Sequence, residues 1–173
     1  LQRGLVKLYQ YDANGRQHII SIAQPLDFIG LLSIFSTKTH KYSIAALDDC
    51  VICFVKLDTI KMLMEHNGKF AYDFLRKIST VADRIIQSQI VISSHQLKGR
   101  VAYLLLLFAR EVYHSDDFLL PVSRKELAEL IHMSTENVVR TLSEFRKEKI
   151  IEIEGKRIIL KDRPQLQKIR ERG

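Results

Sequence analysis

Ser123-Arg124-Lys125-Glu126-Leu127-Ala128-Glu129-Leu130-Ile131-His132-Met133-Ser134-Thr135-Glu136-Asn137-Val138-Val139-Arg140-Thr141-Leu142-Ser143-Glu144-Phe145-Arg146 is the stretch whose reading decides the fold. Ser123 followed by Glu126 is a capping box, in which each side chain satisfies a backbone N–H of the other. It opens a first helix over 123–131 with Leu127, Leu130 and Ile131 on its inner face. Ala128 is small where two helices must cross closely. His132-Met133 is the turn, and Ser134 caps a second helix reaching about Arg146. Val138, Leu142 and Phe145 stand at i, i+4 and i+7 and bury one stripe, which leaves Thr135, Glu136, Val139 and Arg140 on the opposite face.

That outer face has two readings. Glu136 and Arg140 are four apart and stand side by side, so they could simply pair with each other. Alternatively they read bases: an Arg fork matches O6 and N7 of guanine, and a carboxylate accepts from N4 of cytosine. Both lie near the start of the second helix, the part that a helix-turn-helix presents to the major groove. The capped two-helix unit around them favours readout. Next, residues 149–160 read as two strands around Gly155, with Lys156 and Arg157 at the tip of a wing. Such a tip commonly touches phosphate; the alternative is a solvated turn. The domain is expected to end on this hairpin, and the partner expected is double-stranded DNA.

Upstream, apolar residues recur at helical spacing from Thr59 to Gln96. Phe74, Ile78, Val81, Ile85 and Ile92, with the polar Ser88 among them, step by four and three, a heptad-like seam. This helix could lie against its own domain or pair with a copy of itself; the seam favours a homodimer. Lys98-Gly99-Arg100 interrupts it, and a second apolar helix is expected over Val101–Glu111. Residues 5–60 read as short strands. Leu5–Tyr9 and His18–Ile22 flank Asp12-Ala13-Asn14-Gly15, and Asn-Gly supplies the positive φ of a hairpin turn. Tyr42–Leu47 and Cys50–Leu57 are further expected strands, giving a small roll or barrel.

Composition bounds the function. The 173 residues are 46% hydrophobic with a formal net charge of +7, and residues 121–173 carry 13 Lys/Arg against 9 Asp/Glu. This mild basic bias suits an anionic partner without proving one. Cys50 and Cys53 are the two cysteines, read as core residues on opposite faces of a strand rather than as a disulfide or metal pair. No apolar run approaches the ~20 residues of a membrane span. The start Leu-Gln-Arg-Gly has no Met and reads as a fragment entered in mid-domain. Ser33, Ser36 and His40 lie close in sequence, but nothing orients them as a nucleophile and base, and no enzyme is expected.

These residues resemble the catabolite-activator/FNR superfamily of bacterial transcription regulators along the whole chain. Gly4-Leu5-Val6-Lys7-Leu8-Tyr9 and Asn14-Gly15-Arg16 look like the middle of its β-roll sensor. Phe28-Ile29-Gly30 looks like the start of its ligand segment, and Ala45–Val55 like the closing strands. Lys98-Gly99-Arg100-Val101-Ala102 matches the junction after the dimer helix, and Gly155-Lys156 matches the wing. The most specific match is Ser123–Ala128 followed by Ser134–Arg140. The resemblance implies an α+β chain: a partial β-roll effector domain over 1–66, a dimerisation helix over 67–97 and a winged helix-turn-helix over 98–173. It implies that Glu136 and Arg140 read a TGA-like half-site, that Thr135 and Val139 stand at subfamily-specific positions, and that Ser134, Asn137 and, more loosely, Arg124 contact phosphate. His132 departs from the glycine often found in that turn.

The sensor departs further. Cyclic-nucleotide members of the family carry Glu after the ligand-segment glycine and an Arg-Ser pair soon after. Here Gly30 is followed by Leu31, and the pair is Tyr42-Ser43. A cyclic phosphate loses its bidentate cation, a loss of ~2 kcal/mol or more when enclosed. Cyclic AMP is therefore not the expected effector, though Gly30, Leu31, Tyr42 and Ser43 mark where an effector would sit. Phe28, Phe35 and Leu31 could line an apolar pocket or fill the roll. Haem has His18, His40, His66, His95, His114 and His132 available, none with a partner at ligand spacing. The expectation is a cytoplasmic homodimeric regulator working with RNA polymerase, or a constitutive DNA binder with a vestigial, ligand-free roll.

Overall fold

The computed structural model describes every residue except Ile34, Ser36, Thr37 and Lys38, and does not describe the Leu32 side chain. Ser36, grouped above with Ser33 and His40, lies outside the described residues. The chain forms two compact units, Leu1–Gln10 with Ile20–Ser88, and Tyr11–Ile19 with Gln89–Gly173.

One sheet comprises β1 (Val6–Tyr11), β2 (Gln17–Ala23) and β3 (Ser43–Ala46), in the order β2-β1-β3; β3 and most of β1 belong to the first unit, and the β1–β2 turn to the second. β3 runs antiparallel to β1, with Val6 opposite Ala46 and Tyr9 opposite Ser43. Val6, Leu8 and Ala23 form the core, with Ile20, Ile29 and Tyr42 packed on it. In the β1–β2 turn the Asp12 carboxylate accepts from the backbone N–H groups of Asn14 and Arg16, and Gly15 takes φ +73°. The strand expected over Cys50–Leu57 does not form. Only an isolated bridge joins Arg3 to Val51, and Phe54 is 95% exposed. A strand needs a neighbour along its length to satisfy its ladder, and the described residues offer one only at Val51. The cysteine expectation falls with it: Cys53 is exposed, and Cys50 is half-buried with its thiol on the Leu5 carbonyl at 3.3 Å.

The helical apolar pattern from Thr59 to Gln96 is divided at Asn67 into α1 (Leu57–His66) and α2 (Gly68–Ser94), and α2 occupies most of the 67–97 span expected of the dimerisation helix. Asn67 leaves helical geometry at φ −138°, and its side-chain oxygen accepts from Phe70 N–H, so it caps the second helix. Phe74 is 4% exposed and forms a cluster with Leu31 and Ile60, on which Ile78 and Val81 pack; Ile92 is buried too. Phe74 and Ile92 are covered by their own chain, whereas Ile78, Val81 and Ile85 are half-buried. The exposed apolar residues of α2 are Tyr72 (68%), Leu75 (59%), Ile86 (54%) and Ile90 (48%). Buried Asp27 fastens α2 to the roll, accepting from Lys77 Nζ at 2.9 Å with Arg84 at 3.7 Å.

The second unit contains α3 (Leu97–Leu107), β4 (Asp117–Leu119), α4 (Arg124–Leu130), α5 (Thr135–Lys147), β5 (Ile151–Glu154), β6 (Arg157–Leu160) and α6 (Arg163–Arg172). α3 starts four residues earlier than expected and runs into a π-helical turn at Phe108–Val112. It is buried almost all round, from Val101 to Leu106. The wing has a third strand: β4 pairs β6 with Phe118 opposite Ile158, giving the order β4-β6-β5. The chain does not end on the hairpin, because α6 follows. Asp162 caps it, accepting from Gln165 N–H at 2.9 Å, Pro164 occupies its first turn, and Leu166 is fully buried.

Candidate nucleic-acid interface

The two helices of the interface begin as the sequence demands. Ser123 Oγ accepts from Glu126 N–H while Glu126 accepts from Ser123 N–H at 2.8 Å, a complete capping box. Ser134 Oγ accepts from Asn137 N–H at 3.2 Å. Leu127, Leu130 and Ile131 of the first helix and Val138, Leu142 and Phe145 of the second are buried. Phe145→Ala at such a fully enclosed site costs about 3–5 kcal/mol. His132 takes the positive φ of the turn, +52°, where glycine has no steric cost. Its imidazole is pushed below the ordinary histidine value, first by partial burial and then by His18, Arg100 and Arg16. Arg100 ties the turn down by donating to the Ile131 carbonyl at 3.3 Å.

Burial of that stripe turns Thr135, Glu136, Val139 and Arg140 outward together. With Ser143, Glu144 and Lys147 they line an open cleft of about 580 Å³ along α5. Arg140 does not pair with Glu136. Its Nη2 donates to Asn137 Oδ1 at 2.8 Å, so Asn137 holds the guanidinium. Glu136 is left with its carboxylate on the exposed face. Val139 is 50% exposed, an apolar surface suited to a thymine methyl.

The wing is braced by groups that the sequence reading had assigned to DNA. Arg124 donates to the Gly155 carbonyl at 3.2 Å, and burial pushes its guanidinium below its ordinary value. Arg157, expected beside Lys156 at a free tip, is bidentate on Asp117 at 2.6 and 2.8 Å and also meets Glu154 at 3.2 Å. This pairing holds Asp117 below the usual carboxylate range and raises Arg157. Lys156 is exposed at the tip, its carbonyl accepting from Leu120 N–H. The sequence reading missed Asp117 because its signal is the β4–β6 pairing, which brings together residues 40 apart.

The residues expected around an effector are placed as follows among the described residues. Leu31 is buried in the cluster with Ile60 and Phe74, and Phe28 and Phe35 turn their rings edge-on to Phe74. Gly30 has φ +89°, and a Cβ there would lie 3.3 Å from the His40 ring. Ser33 Oγ meets His40 Nδ1 at 2.6 Å and the Tyr42 hydroxyl at 3.2 Å. The polar groups around Gly30 therefore satisfy one another. Ser43 is exposed on β3. Among the described residues no three His, Cys, Asp or Glu groups could hold a metal ion, and no helix is long and apolar enough to cross a membrane.

A capped helix pair with an outward polar face and a three-stranded wing, following a small β-roll and a long helix, defines a winged helix-turn-helix protein with an N-terminal β-roll domain. Two family models match: the Crp-like helix-turn-helix domain over residues 99–169 and the cyclic nucleotide-binding domain over residues 1–67. The chain belongs to the catabolite-activator/FNR superfamily and is a DNA-binding transcription regulator of that type. It is 28% identical over 174 residues to the Anaerobic regulatory protein of Bacillus subtilis, covering 96% of this chain and 72% of that one. It is 26% identical over 170 residues to the Transcriptional regulatory protein btr of Bordetella pertussis, covering 96% and 70%. Its fold matches FixK2 of Bradyrhizobium japonicum with a TM-score of 0.89 at 23% identity, covering 96% of this chain and 83% of that one.

Proposed function

We propose that the protein binds a palindromic DNA site as a homodimer, each α5 reading a TGA-like half-site in the major groove. The observation that carries this is the outward cluster of Glu136, Val139 and Arg140 in one cleft, with Asn137 holding Arg140. Arg140 reads a guanine and Glu136 a cytosine amino group. Thr135 and Val139 set the remaining bases. Ser134, Asn137 and Lys156 approach phosphate, and Arg124 serves the same interface by holding the wing. Two reading helices on one face of a duplex lie about 34 Å apart, one DNA turn.

The dimer contact proposed is the stripe of exposed Tyr72, Leu75, Ser79 and Ile86 with half-buried Ala82 on α2. It steps by three and four residues, the spacing that lets two helices interdigitate. RNA polymerase and the cytoplasm are the proposed partner and place. An effector in the roll would bias the dimer between DNA-competent and incompetent states. The effector proposed is other than cyclic AMP, because Tyr42 stands where the resemblance places the phosphate-binding cation.

A second reading, a constitutive regulator with a ligand-free roll, is favoured by the mutual satisfaction of Ser33, His40 and Tyr42. Native mass spectrometry of protein exposed to cell extract separates the two. A retained small molecule supports the sensor; an unchanged mass together with undiminished operator affinity supports the constitutive regulator.

A further inference from the structure

We infer that Lys98 is an electrostatic positioning residue for DNA binding, masking Glu144 and Glu148 so that they repel the phosphates beside the reading pair less. This rests on the proposal that α5 reads DNA. Lys98 Nζ lies 3.0 Å from Glu144 and 3.7 Å from Glu148.

The placement of all three charges runs against local preference. Lys98 sits in the first turn of α3, where the helix dipole disfavours a cation, and Gln96 before it offers no side-chain cap. Glu144 and Glu148 sit at the C-terminal end of α5, where the dipole disfavours an anion. They are also four residues apart, a spacing at which like charges repel. One contact between α3 and α5 resolves the three conflicts. Folding alone does not explain it: all three side chains are 38–50% exposed, and ion pairs so exposed contribute little to stability.

The location explains it better. Glu144 lines the same cleft as Arg140, Ser143 and Lys147. A carboxylate one turn beyond Arg140 lies within a Debye length, about 10 Å at 0.1 M salt, of any backbone that Arg140 reaches. With Lys98 the cluster carries −1 rather than −2, so it repels a phosphate backbone less; without it the two carboxylates oppose binding to every sequence alike.

The test uses the full chain and titrates a selected operator duplex and a random duplex over a salt series. Compared are wild type, Lys98→Gln, Lys98→Arg, Glu144→Gln/Glu148→Gln, and the triple variant Lys98→Gln/Glu144→Gln/Glu148→Gln. Lys98→Gln should lose about three- to tenfold on both duplexes at low salt, with the loss shrinking as salt rises. Lys98→Arg should bind like wild type, and the triple variant should recover to within about twofold. Matching thermal melts for Lys98→Gln and wild type exclude misfolding. Wild-type affinity in Lys98→Gln overturns the inference. So does a loss that persists in the triple variant, which would mean that Lys98 touches phosphate itself. If wild type does not prefer the operator over the random duplex, it is the reading of DNA by α5 that fails instead.

Discussion

At the residue scale the interface depends on how individual side chains are held. Arg140 is fixed by Asn137 rather than spent on Glu136. Arg140→Ala should therefore cost about 1–3 kcal/mol of operator binding and relax preference at one guanine. Competition binding against single-base operator variants reads this directly. His132 carries a different cost, being a non-glycine residue at positive φ whose charging is opposed by burial and by His18, Arg100 and Arg16. Its folded value lies below the unfolded 6.5, so the unfolded chain binds the proton more readily. Stability is full above pH 6.5 and falls as pH drops through the folded value. His132→Gly should raise the urea midpoint at pH 7 and flatten the decline between neutrality and mild acid, which a pH series of unfolding curves checks. The outward placement of Glu136 and Arg140 was legible in the sequence because helix period and caps are local rules. The bond of Arg124 to the Gly155 carbonyl was not legible, because that partner lies 31 residues away.

Elements show the same division between local and long-range signals. The capped helices and the wing around Gly155 were readable from spacing and caps. α6 was also readable in principle, from Asp162, Pro164 and the apolar Leu166, but the hairpin before it was taken as the end. α2 is a different case. It carries two apolar stripes one residue apart in phase, and both step by three and four. Periodicity alone cannot say which faces the roll; burial of Phe74 beside Leu31 and Ile60 decides it. The wing yields two predictions. Lys156→Ala should weaken all duplexes alike and lower the slope of log affinity against log salt by about one. Asp117, held low by Arg157, lends the wing stability that is present above its unfolded value of 3.8 and is lost as pH falls through the depressed value. The protection factors of β4 and β6 amides, exchange rates corrected for the intrinsic rate at each pH, should therefore fall as the pH drops below 3.8 in wild type, while Asp117→Asn should show reduced protection already at neutrality.

For the whole molecule the proposed dimer joins these parts. Leu75→Asp or Ile86→Asp would place charge on the exposed stripe without touching the buried cluster around Phe74. Either should shift the sedimentation profile from dimer to monomer and abolish high-affinity binding to a two-half-site operator, with the melting temperature little changed. Full association after both substitutions would place the dimer contact elsewhere. The overall class was legible because each half of the chain carries its own local signature, a hairpin roll and a capped helix pair. The collapse of the polar groups around Gly30 was not, since Ser33, His40 and Tyr42 meet only once the roll has folded. Selection of bound sequences from a random duplex pool tests the central claim most directly. It should enrich an inverted repeat of TGA-like half-sites centred one helical turn apart, with the guanine preference lost in Arg140→Ala. Enrichment of a single unrepeated site, of half-sites at no fixed spacing, or of the same guanine by Arg140→Ala would contradict it.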